Sequence, residues 1–593
     1  MVRVADFVAK FLESRGIKHV FTVTGGGAMF LNDGLAKNTN IKGVFNHHEQ
    51  ACAMAAVGYS KLNNEIAVVM PTTGCGGTNT ITGVLDAWQD SNKVVFISGN
   101  VNKKETTHGL NIPLRKFGVQ EANIVDIVKP ITKYSVMIKH ASTIQYHLQK
   151  AFYICENDRP GPVWIDIPLD IQGSYIDEEN LEHFDPIELG YQNEVDCEIL
   201  EKYLNESKRP IVIAGYGIHL AGAKQQFVDF IEKYNLPVAF TYLGIDLLPS
   251  DHPLYVGRLG TKGDRAGNFA VQNSDLVISL GSSLSVSVTG FRYETFAREA
   301  KKIVVDIDKY EHKKNTVKID CELNTDVKWF LSKSLKNNYD YRADSSWVEK
   351  CISWRDKWPV FNEKYKDTTK GINIYYFLNE LSKNNKKDAI TISDAGSAYY
   401  TTSQALKIQH QQRYITSGAQ ADMGFTIPAA IGVAMASNSK NIVGITGDGS
   451  FQMNIQELQT IVNFNLPIKI FILNNGGYLS IRNTMDKFFE SRYYGTDPNS
   501  GLTFPEVSKI SLAYGIPYYK LQDTEDLNTK LKQILDLDGY AIIEVMCQYK
   551  QEIVPSSSAK ENEEGKIVSQ PLENMYPFLS SEEFNKEMII KPL

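Results

Sequence analysis

The stretch that decides the fold covers residues 441–475 and reads NIVGITGDGSFQMNIQELQTIVNFNLPIKIFILNN. Its apolar runs and breaks predict a strand over 442–445, a turn over 447–450, a helix with Ile455, Leu458 and Val462 on one face, and a second strand over 468–473. A strand, a helix and a strand in that order form a βαβ unit, so the two strands should be parallel. This stretch therefore predicts an α/β fold.

Polar side chains stand where both of these strands end. Asp448 and Asn475, 27 residues apart, would lie at the carboxyl ends of adjacent strands, where open α/β sheets bind ligands. One carboxylate, one amide oxygen and a nearby backbone carbonyl are ligands that Mg²⁺ accepts, with phosphates and water in the remaining positions. Gly449 permits close backbone approach, and the N–H groups that open the following helix favour an anion. The pattern predicts a metal-bridged diphosphate; two ordinary turns in a sheet are the alternative.

The rest of the chain repeats the alternation of helices and apolar strands. At 593 residues it is too long for one hydrophobic core, and three or four domains are expected. The alternation predicts three doubly wound domains with parallel sheets, over 1–175, 197–335 and 371–549. The acidic residues 172–196 and the Lys- and Tyr-rich residues 336–370 are interpreted as linkers, and residues 550–593 as a C-terminal arm over a cleft.

The composition excludes several classes of function. The formal net charge of -7 argues against a nucleic-acid or an anionic-membrane partner. The seven cysteines are scattered without a Cys-x-x-Cys pair, which is typical of a reducing compartment and disfavours a disulfide framework or a zinc site. The N-terminal pattern is amphipathic and unlike a signal peptide, and no stretch reaches the roughly 18 apolar residues of a membrane span. A cytoplasmic location is expected.

The Gly-Asp-Gly of 447–449, followed after one βαβ unit by Asn474-Asn475, resembles the signature of the thiamine-diphosphate enzymes. Within them the chain is most similar to the acetohydroxyacid synthase, pyruvate oxidase and benzoylformate decarboxylase group, over nearly its whole length. The resemblance implies a pyrimidine-binding first domain, a middle domain and a diphosphate-binding third domain. It also implies that Asp448, the Asn475 side chain and the Gly477 carbonyl bind Mg²⁺.

A carboxylate in the first domain has two interpretations. Residues 45–56 read FNHHEQACAMAA, so Glu49 stands at the start of a helix of small residues, where it is most simply a capping carboxylate. The segment resembles the family's Arg-His-Glu-Gln motif, with His47 in place of the Arg. The resemblance makes Glu49 the acid that activates the cofactor. A carboxylate that is hydrogen-bonded to the pyrimidine ring nitrogen favours the imino tautomer of the cofactor, and the imino group then acts as an internal base.

The resemblance implies further site residues in the first domain. Loop 72–79 matches a family loop and places Thr73 and Asn79 at the cofactor, with Cys75 in place of a Pro. Segment 117–121 resembles a Phe-Gln-Glu segment and makes Gln120 a second catalytic residue near the substrate. An amide in a surface loop is the alternative for Gln120.

The third domain supplies most of the implied cofactor contacts. Residues 394–398 open a helix that holds the diphosphate in the family, although the family's frequent Gln-His pair is replaced by Ser397-Ala398. Met423 takes the position of an apolar wedge between the two cofactor rings; filling of the core is the alternative. The complete set of third-domain residues assigned to the cofactor is Gly396, Ser397, Ala398, Asp422, Met423, Gly447, Asp448, Gly449, Ser450, Asn475, Gly477 and Tyr478.

The middle domain leaves FAD binding open. In some family members it holds FAD, and the glycines of 215–217 and 281–283 could approach a nucleotide. However, the Arg and Asp-Arg that acetohydroxyacid synthases show after the second glycine are replaced here by the Ser-rich run 282–287. The Gln-Trp that follows Asn-Asn in those enzymes is missing, and Leu169 replaces a Lys. These departures argue against a housekeeping acetolactate synthase.

With the resemblance, the sequence predicts an enzyme that uses thiamine diphosphate and Mg²⁺ to decarboxylate a 2-keto acid such as pyruvate. The remaining fragment is then joined to a second carbonyl compound. A homodimer or homotetramer is expected. The alternatives are a simple 2-keto acid decarboxylase, an oxidase that uses FAD, a carboligase with a keto-sugar acceptor, and a non-catalytic cofactor-binding protein.

Overall fold

The computed structural model describes residues 1–108, 110, 112–186, 188–191, 195–522, 526–561 and 567–593. Three six-stranded parallel sheets organise these residues. Residues 187 and 192–194 of the first predicted linker, and residues 562–566 of the predicted arm, lie outside the described ranges. Within those ranges, no helix has the length and apolar character needed to cross a bilayer.

The first sheet is built from the N-terminal part of the chain. Its strands and two short flanking ones are β1 (Val2–Arg3), β2 (His19–Thr22), β3 (Lys42–Phe45), β4 (Ala67–Val69), β5 (Val94–Asn100), β6 (Tyr134–Met137), β7 (Val163–Pro168) and β8 (Tyr175–Ile176). The helices are α1 (Val4–Ser14), α2 (Met29–Lys37), α3 (Glu49–Asn63), α4 (Cys75–Thr78), α5 (Ile81–Gln89), α6 (Ile124–Val128), α7 (Ile144–Glu156) and α8 (Leu169–Gln172). The strand order is β3-β2-β4-β5-β7-β6, and β1 pairs with β8 outside this sheet.

The second sheet lies in the middle of the chain. Its strands are β9 (Pro210–Ala214), β10 (Val238–Phe240), β11 (Tyr255–Arg258), β12 (Leu276–Leu280), β13 (Lys301–Asp306) and β14 (Cys321–Asn324), in the order β11-β10-β9-β12-β13-β14. The helices are α9 (Glu198–Glu206), α10 (Gly217–Leu220), α11 (Lys224–Tyr234), α12 (Arg265–Gln272), α13 (Val286–Thr289), α14 (Val327–Asn337) and α15 (Ser345–Lys357). Every residue of β9 and β12 is buried, because helices cover both faces of a parallel sheet.

The third sheet contains the stretch with which the sequence analysis began. Its strands are β15 (Ile390–Ser393), β16 (Arg413–Thr416), β17 (Ile442–Gly447), β18 (Ile468–Asn474), β19 (Tyr518–Leu521) and β20 (Ala541–Met546), in the order β16-β15-β17-β18-β20-β19. The helices are α16 (Ile374–Asn384), α17 (Gly396–Ala405), α18 (Thr426–Ala436), α19 (Asp448–Met453), α20 (Leu458–Phe464), α21 (Leu479–Phe488), α22 (Val507–Tyr514) and α23 (Leu527–Leu535). The C-terminal residues add β21 (Ala559–Glu561), β22 (Ile567–Ser569) and α24 (Ser581–Glu587).

These sheets confirm the predicted fold class, and two local predictions were wrong. The turn predicted over 447–450 is the end of β17 followed at once by α19, so Asp448 and Gly449 lie in the first turn of a helix. The linker predicted over 336–370 contains α15, whose side chains Trp347, Cys351 and Trp354 are buried. Their spacing of four and three residues places them on one helical face, which packs against the middle sheet.

The first and third parts of the chain pack through two helices of small residues. A Cβ atom added at Gly58 of α3 would lie 2.5 Å from the Ala429 carbonyl oxygen of α18, and one added at Gly432 would lie 1.8 Å from the Ala55 carbonyl oxygen. Glycine at these positions lets the two backbones touch. The contact therefore fixes the first sheet against the third.

Candidate active site

The predicted metal ligands lie at the ends of two paired strands. β17 and β18 are parallel, with Gly447 opposite Leu473, so Asp448 and the loop after Asn474 leave the same edge of the sheet. Asp448 Oδ2 accepts a hydrogen bond from the Gly477 N–H at 2.9 Å, and Oδ1 accepts one from the Gly449 N–H at 2.8 Å. Burial raises the pKa of Asp448 to about 6, although these N–H groups oppose the shift.

Asn475 is held by a buried arginine that the sequence analysis did not assign. Arg482 Nη2 donates to the Asn475 backbone oxygen at 2.9 Å and to its Oδ1 at 3.3 Å. Nη1 of the same guanidinium donates to the Thr496 carbonyl at 3.2 Å. Gly477 has φ +134°, and an added Cβ would lie 2.0 Å from the Thr496 carbonyl oxygen, so only glycine fits there. Arg482 thus orders the loop that carries the predicted ligands.

Glycines leave room beside this loop for an anion. Gly396 opens α17 with φ +54°, and the Ser480 Oγ at 3.1 Å is the only described atom near an added Cβ. No described atom lies within 4 Å of a Cβ added at Gly447, whereas at Gly449 it would lie 2.2 Å from the Tyr478 ring. The first N–H groups of α17 have no partner within the helix and face this space as donors.

The segment before α18 connects this space with the first domain. Gly424 lies against α19, where an added Cβ would lie 3.6 Å from the Ser450 carbonyl oxygen. Asp422 is buried and accepts a hydrogen bond from Gln420, and burial raises its pKa to about 6. Gln420 Nε2 also donates to the Thr82 carbonyl of α5 at 3.3 Å. Met423, between Asp422 and Gly424, is partly exposed.

A second group of predicted residues lies in the first domain. Glu49 is the first residue of α3, and His48, not Glu49, caps the helix by accepting a hydrogen bond from the Gln50 N–H at 3.1 Å. Glu49 Oε2 accepts a hydrogen bond from Asn79 Nδ2 at 2.9 Å. The Thr72 Oγ1 nearby is buried and has no hydrogen-bond partner among the described residues. Thr73 Oγ1 donates to Asn100 Oδ1 at 3.2 Å.

Gln120 belongs to the same group through its backbone. Its carbonyl oxygen would lie 2.2 Å from a Cβ added at Gly74, so the 117–121 segment covers the loop that carries Thr73. Gln120 is exposed and has φ +60°. Glu121 fixes the segment by accepting hydrogen bonds from the Phe117 N–H at 2.9 Å and the Gly118 N–H at 3.2 Å.

The described residues show no direct bond between the two groups within one chain. Among the described residues, no hydrogen bond or ion pair joins Glu49 or Asn79 to Asp448 or Asn475. The two domains meet beside the groups instead, where the buried Glu457 accepts hydrogen bonds from Asn46 Nδ2 and the His47 N–H, each at 2.9 Å.

Asp394 and Glu457 are two further buried carboxylates; the sequence analysis named Asp394 only as part of the segment 394–398 and gave Glu457 no role. Asp394 follows β15 and accepts a hydrogen bond from Thr446 Oγ1 at 2.7 Å, and burial raises its pKa to about 7. Its place after a strand is the signal that also marked Asp448. Glu457 offers no comparable signal, because its partners in the first domain, Asn46 and His47, lie 411 and 410 residues away in the sequence.

A cavity of about 200 Å³ lies beside the glycines named for FAD. Gly217, Gly281 and Asp306 line it at the carboxyl ends of β9, β12 and β13. Its volume is below the roughly 300–1,000 Å³ of small-molecule sites. Among the described residues, Arg159 is the only lysine or arginine in its lining, and it already pairs with Glu311 at 2.7 Å and Asp308 at 3.2 Å. FAD binding therefore stays a prediction. The position of the cavity supports it, and the small volume of the cavity argues against it.

The residues at the edge of the third sheet fit a Mg²⁺-bound diphosphate. Asp448, Asn475 and the Gly477 carbonyl offer hard oxygen ligands, and Gly396 and Gly447 leave space for phosphate oxygens. The described residues contain no cluster of three or more His, Cys, Asp or Glu side chains that would suit another metal. In the first domain, the buried Thr72 Oγ1 has no hydrogen-bond partner among the described residues and is free to bond to a ligand. The fold, together with the fit of these residues to a Mg²⁺-bound diphosphate, defines a class of α/β proteins that bind a diphosphate cofactor.

Comparison with known proteins identifies the family. Residues 2–124 match the model of the thiamine pyrophosphate enzyme N-terminal TPP binding domain, residues 198–334 the central domain, and residues 394–545 the C-terminal TPP binding domain. The acetolactate synthase large subunit of Lactococcus lactis subsp. lactis (strain IL1403) is 32% identical over 563 residues, which cover 93% of each chain. Acetolactate synthase 2, chloroplastic, of Nicotiana tabacum is 31% identical over 575 residues, 93% of this chain and 83% of the relative.

The acetolactate synthase large subunit of Cyanidium caldarium is 31% identical over 555 residues, which cover 91% of this chain and 92% of the relative. The chain belongs to the thiamine pyrophosphate enzyme family. It is an enzyme whose cofactors are thiamine diphosphate and Mg²⁺.

Proposed function

We propose that the enzyme decarboxylates a 2-keto acid such as pyruvate and joins the remaining fragment to a second carbonyl compound, as the names of its acetolactate synthase relatives suggest. One observation carries the proposal: Asp448, Asn475 and Gly477 meet at the joined ends of β17 and β18, in the arrangement expected of a diphosphate-bound Mg²⁺.

Each residue has a proposed task. Asp448, Asn475 and the Gly477 carbonyl hold Mg²⁺, while Gly447, Gly449, Ser450 and the start of α17, from Gly396 to Ala398, donate to the phosphates or leave them room. Thiamine diphosphate supplies a carbon nucleophile and a temporary acceptor for the electron pair left when CO₂ departs.

The first-domain residues handle the proton. Glu49 holds a proton at its carboxylate beside the pyrimidine ring, and Asn79 orients that carboxylate through their 2.9 Å hydrogen bond. Thr73 lines the same loop. Met423 and Asp422 hold the ring region from the third domain, and Gln120 and Tyr478 face the substrate.

We infer that each site combines two copies of the chain, with the Glu49 group from one and the Asp448 group from the other, in a homodimer or homotetramer. The lack of a direct bond between the groups within one chain supports this arrangement. Apolar side chains beside both groups are also exposed: Phe45 is 53% exposed, Phe117 56% and Met453 47%. Such surfaces are often covered by a partner.

Carbon-13 NMR of labelled pyruvate, incubated with enzyme, thiamine diphosphate and Mg²⁺, tests the reaction. Labelled acetolactate would establish carboligation onto a second pyruvate, and labelled acetaldehyde alone would replace the proposal with simple decarboxylation. Unchanged pyruvate, with cofactor binding shown separately, would refute pyruvate as the donor. Larger keto acids would then be tested in the same way.

A further inference from the structure

Two lysines from distant parts of the chain converge above α17. Lys262 lies in the loop between β11 and α12, and its Nζ is 5.7 Å from the centroid of the Tyr400 ring on α17. Lys487 lies near the end of α21, and its Nζ donates a hydrogen bond to Ser558 Oγ. The middle domain, the third domain and the C-terminal arm therefore meet at this pair.

Hydrogen bonds fix the elements that carry the two lysines. The Ser557 N–H of the arm donates to the Thr261 carbonyl at 2.7 Å. Gln404 Nε2 of α17 donates to the Pro555 carbonyl at 2.6 Å and to the Gly263 carbonyl at 3.2 Å. The loop around Lys262 is thus held between the arm and α17.

Lys262 is half-buried and Lys487 is exposed, and the described residues give the pair no counter-charge. Among the described residues, neither Nζ makes an ion pair, and the Lys262 Nζ has no hydrogen-bond partner. Burial, together with the nearby Lys487, lowers the pKa of Lys262 to about 8. A partly buried cation without a partner is costly, and a bound anion would offset that cost.

The two lysines lie at the helices that carry Gly396 and Ser480, α17 and α21. Tyr400 is one helical turn from Gly396 on α17, and Lys487 is two turns from Ser480 on α21, so each pair shares a helix face. Ser480 Oγ lies 3.1 Å from the Cβ position of Gly396. At 1.5 Å per residue, Lys487 is roughly 10 Å along α21 from Ser480. An extended substrate could reach from the reacting centre to the lysines.

We propose that Lys262 and Lys487 bind a phosphate group carried by the carbonyl acceptor. The acceptor is then a phosphorylated carbonyl compound and not a second 2-keto acid without a phosphate. This inference rests on the carboligase function proposed above and names the substrate class of the same site. A monophosphorylated sugar and a nucleoside-diphosphate keto-sugar share the required group. The lysines provide point charges that suit the two negative charges of either a phosphate monoester or a diphosphate diester.

Calorimetric titration of the holoenzyme, loaded with thiamine diphosphate and Mg²⁺, tests the inference. The probes are D-glyceraldehyde, D-glyceraldehyde 3-phosphate and a nucleoside-diphosphate 4-keto-sugar. We expect at least one of the phosphorylated probes to bind at least about tenfold more tightly than glyceraldehyde, because a hydrogen bond to a charged group contributes free energy of that magnitude. Which of the two binds more tightly distinguishes the sugar phosphate from the nucleotide sugar.

Lysine variants locate the binding site. Lys262→Met and Lys487→Met should each weaken binding of the phosphorylated probe by roughly tenfold or more and leave glyceraldehyde unaffected. Lys262→Arg should retain most of the affinity because it keeps the charge. Lys509→Met removes an exposed lysine that pairs with Glu506 on the surface and serves as the matched control.

The inference is overturned if neither phosphorylated probe binds at millimolar concentration, or if the Lys262 and Lys487 variants bind it like Lys509→Met. Pyruvate consumption is followed in parallel on the same samples. Consumption without phosphate-dependent binding would refute only the acceptor class. Phosphate-dependent binding without consumption of any 2-keto acid would refute only the carboligase function.

Discussion

At the scale of single residues, Glu49 depends on its neighbours for its orientation. The described residues contain one hydrogen bond to its carboxylate, which Asn79 donates. The loop that carries Asn79 also carries the unpartnered Thr72 Oγ1. The group proposed to handle the proton is therefore small and held by a single loop, and its removal should affect chemistry more than folding.

Glu49→Gln should lower the rate of pyruvate consumption by about 100- to 10,000-fold, the range expected for loss of a general acid-base group. Cofactor affinity should change little, because the amide keeps the shape of the side chain and Asn79 can still donate to its oxygen. Steady-state rates and cofactor titration measure the two effects. Glu65→Gln, at an exposed position of the same domain, is the control. Equal loss in both variants would contradict the role of Glu49.

At this scale, the sequence was informative where a residue stands in a recognisable local pattern. The place of Asp448 and Asn475 at the sheet edge could be predicted because each directly follows an apolar strand, while their role as metal ligands stays a prediction. Arg482 could not, because its task depends on the Asn475 and Thr496 carbonyls that the fold brings together. Glu457 likewise bonds to Asn46 and His47, which lie 411 and 410 residues away in the sequence and which no local pattern reveals.

At the scale of elements, the contact of α3 with α18 sets the distance between the first and third sheets. A Cβ added at Gly432 would lie 1.8 Å from the Ala55 carbonyl oxygen, and backbone cannot move aside as a flexible side chain can. The two helices are close enough that α3, which begins with Glu49, is positioned directly by α18, which follows Met423.

Gly432→Val should push the two helices apart and destabilise the protein by about 1–3 kcal/mol, the usual cost of overpacking. The midpoint of thermal unfolding and the cofactor affinity should both fall. Gly26→Ala is the matched control, because no described atom lies within 4 Å of a Cβ added there and its φ lies outside the left-handed range. A midpoint for Gly432→Val equal to that of Gly26→Ala would refute the close packing.

Prediction of the elements succeeded for the strands and failed in two places, at the turn over 447–450 and at the linker over 336–370. The long apolar runs of the three sheets are readable because helices bury both faces of each parallel sheet. The sequence analysis interprets the segment of helix α15 as part of a linker, because Lys and polar residues dominate its composition. Only the spacing of Trp347, Cys351 and Trp354 marks its buried face.

At the scale of the whole molecule, one ionic junction ties the three domains together. Arg413 Nε of β16 donates to Asp246 Oδ2 at 2.8 Å, and its Nη1 donates to the Leu62 carbonyl of α3 at 2.7 Å. His219 Nε2 lies 2.6 Å from Asp246 Oδ1. Burial alone would raise the pKa of Asp246, but His219 and Arg413 outweigh it and hold that pKa well below its usual value.

Asp246→Asn should destabilise the protein by about 3 kcal/mol at neutral pH, since it leaves a buried cation without its partner. The folded-state pKa of Asp246 is lowered, so its stabilisation is present above the unfolded value of roughly 4 and is lost as the pH falls below it. The wild type should therefore lose more stability than the variant on acidification. Denaturant midpoints between neutral and acid pH measure this, with the exposed Asp251→Asn as control. Parallel pH profiles of all three proteins would contradict the prediction.

If each active site is formed by two chains, as proposed above, two variants that are inactive alone should restore activity when they are combined. Glu49→Gln and Asp448→Asn each disable one group, so mixed dimers would contain one intact site assembled from the two chains. After co-refolding or co-expression in equal amounts, about a quarter of the wild-type activity should return if assembly is random. Activity no higher than the sum of the separate variants would refute a site formed between subunits.

The junction at Arg413 also bears on how molecules enter and leave. Because one guanidinium bonds to both neighbouring domains, the sheets cannot move apart without breaking those bonds. The C-terminal arm is attached separately, by the hydrogen bond from the Ser557 N–H to the Thr261 carbonyl and by the ion pair of Glu573 with Arg298. Changes in the arm could alter which acceptor is admitted while the three sheets stay as they are, which makes it the segment where related enzymes can most readily diverge in substrate.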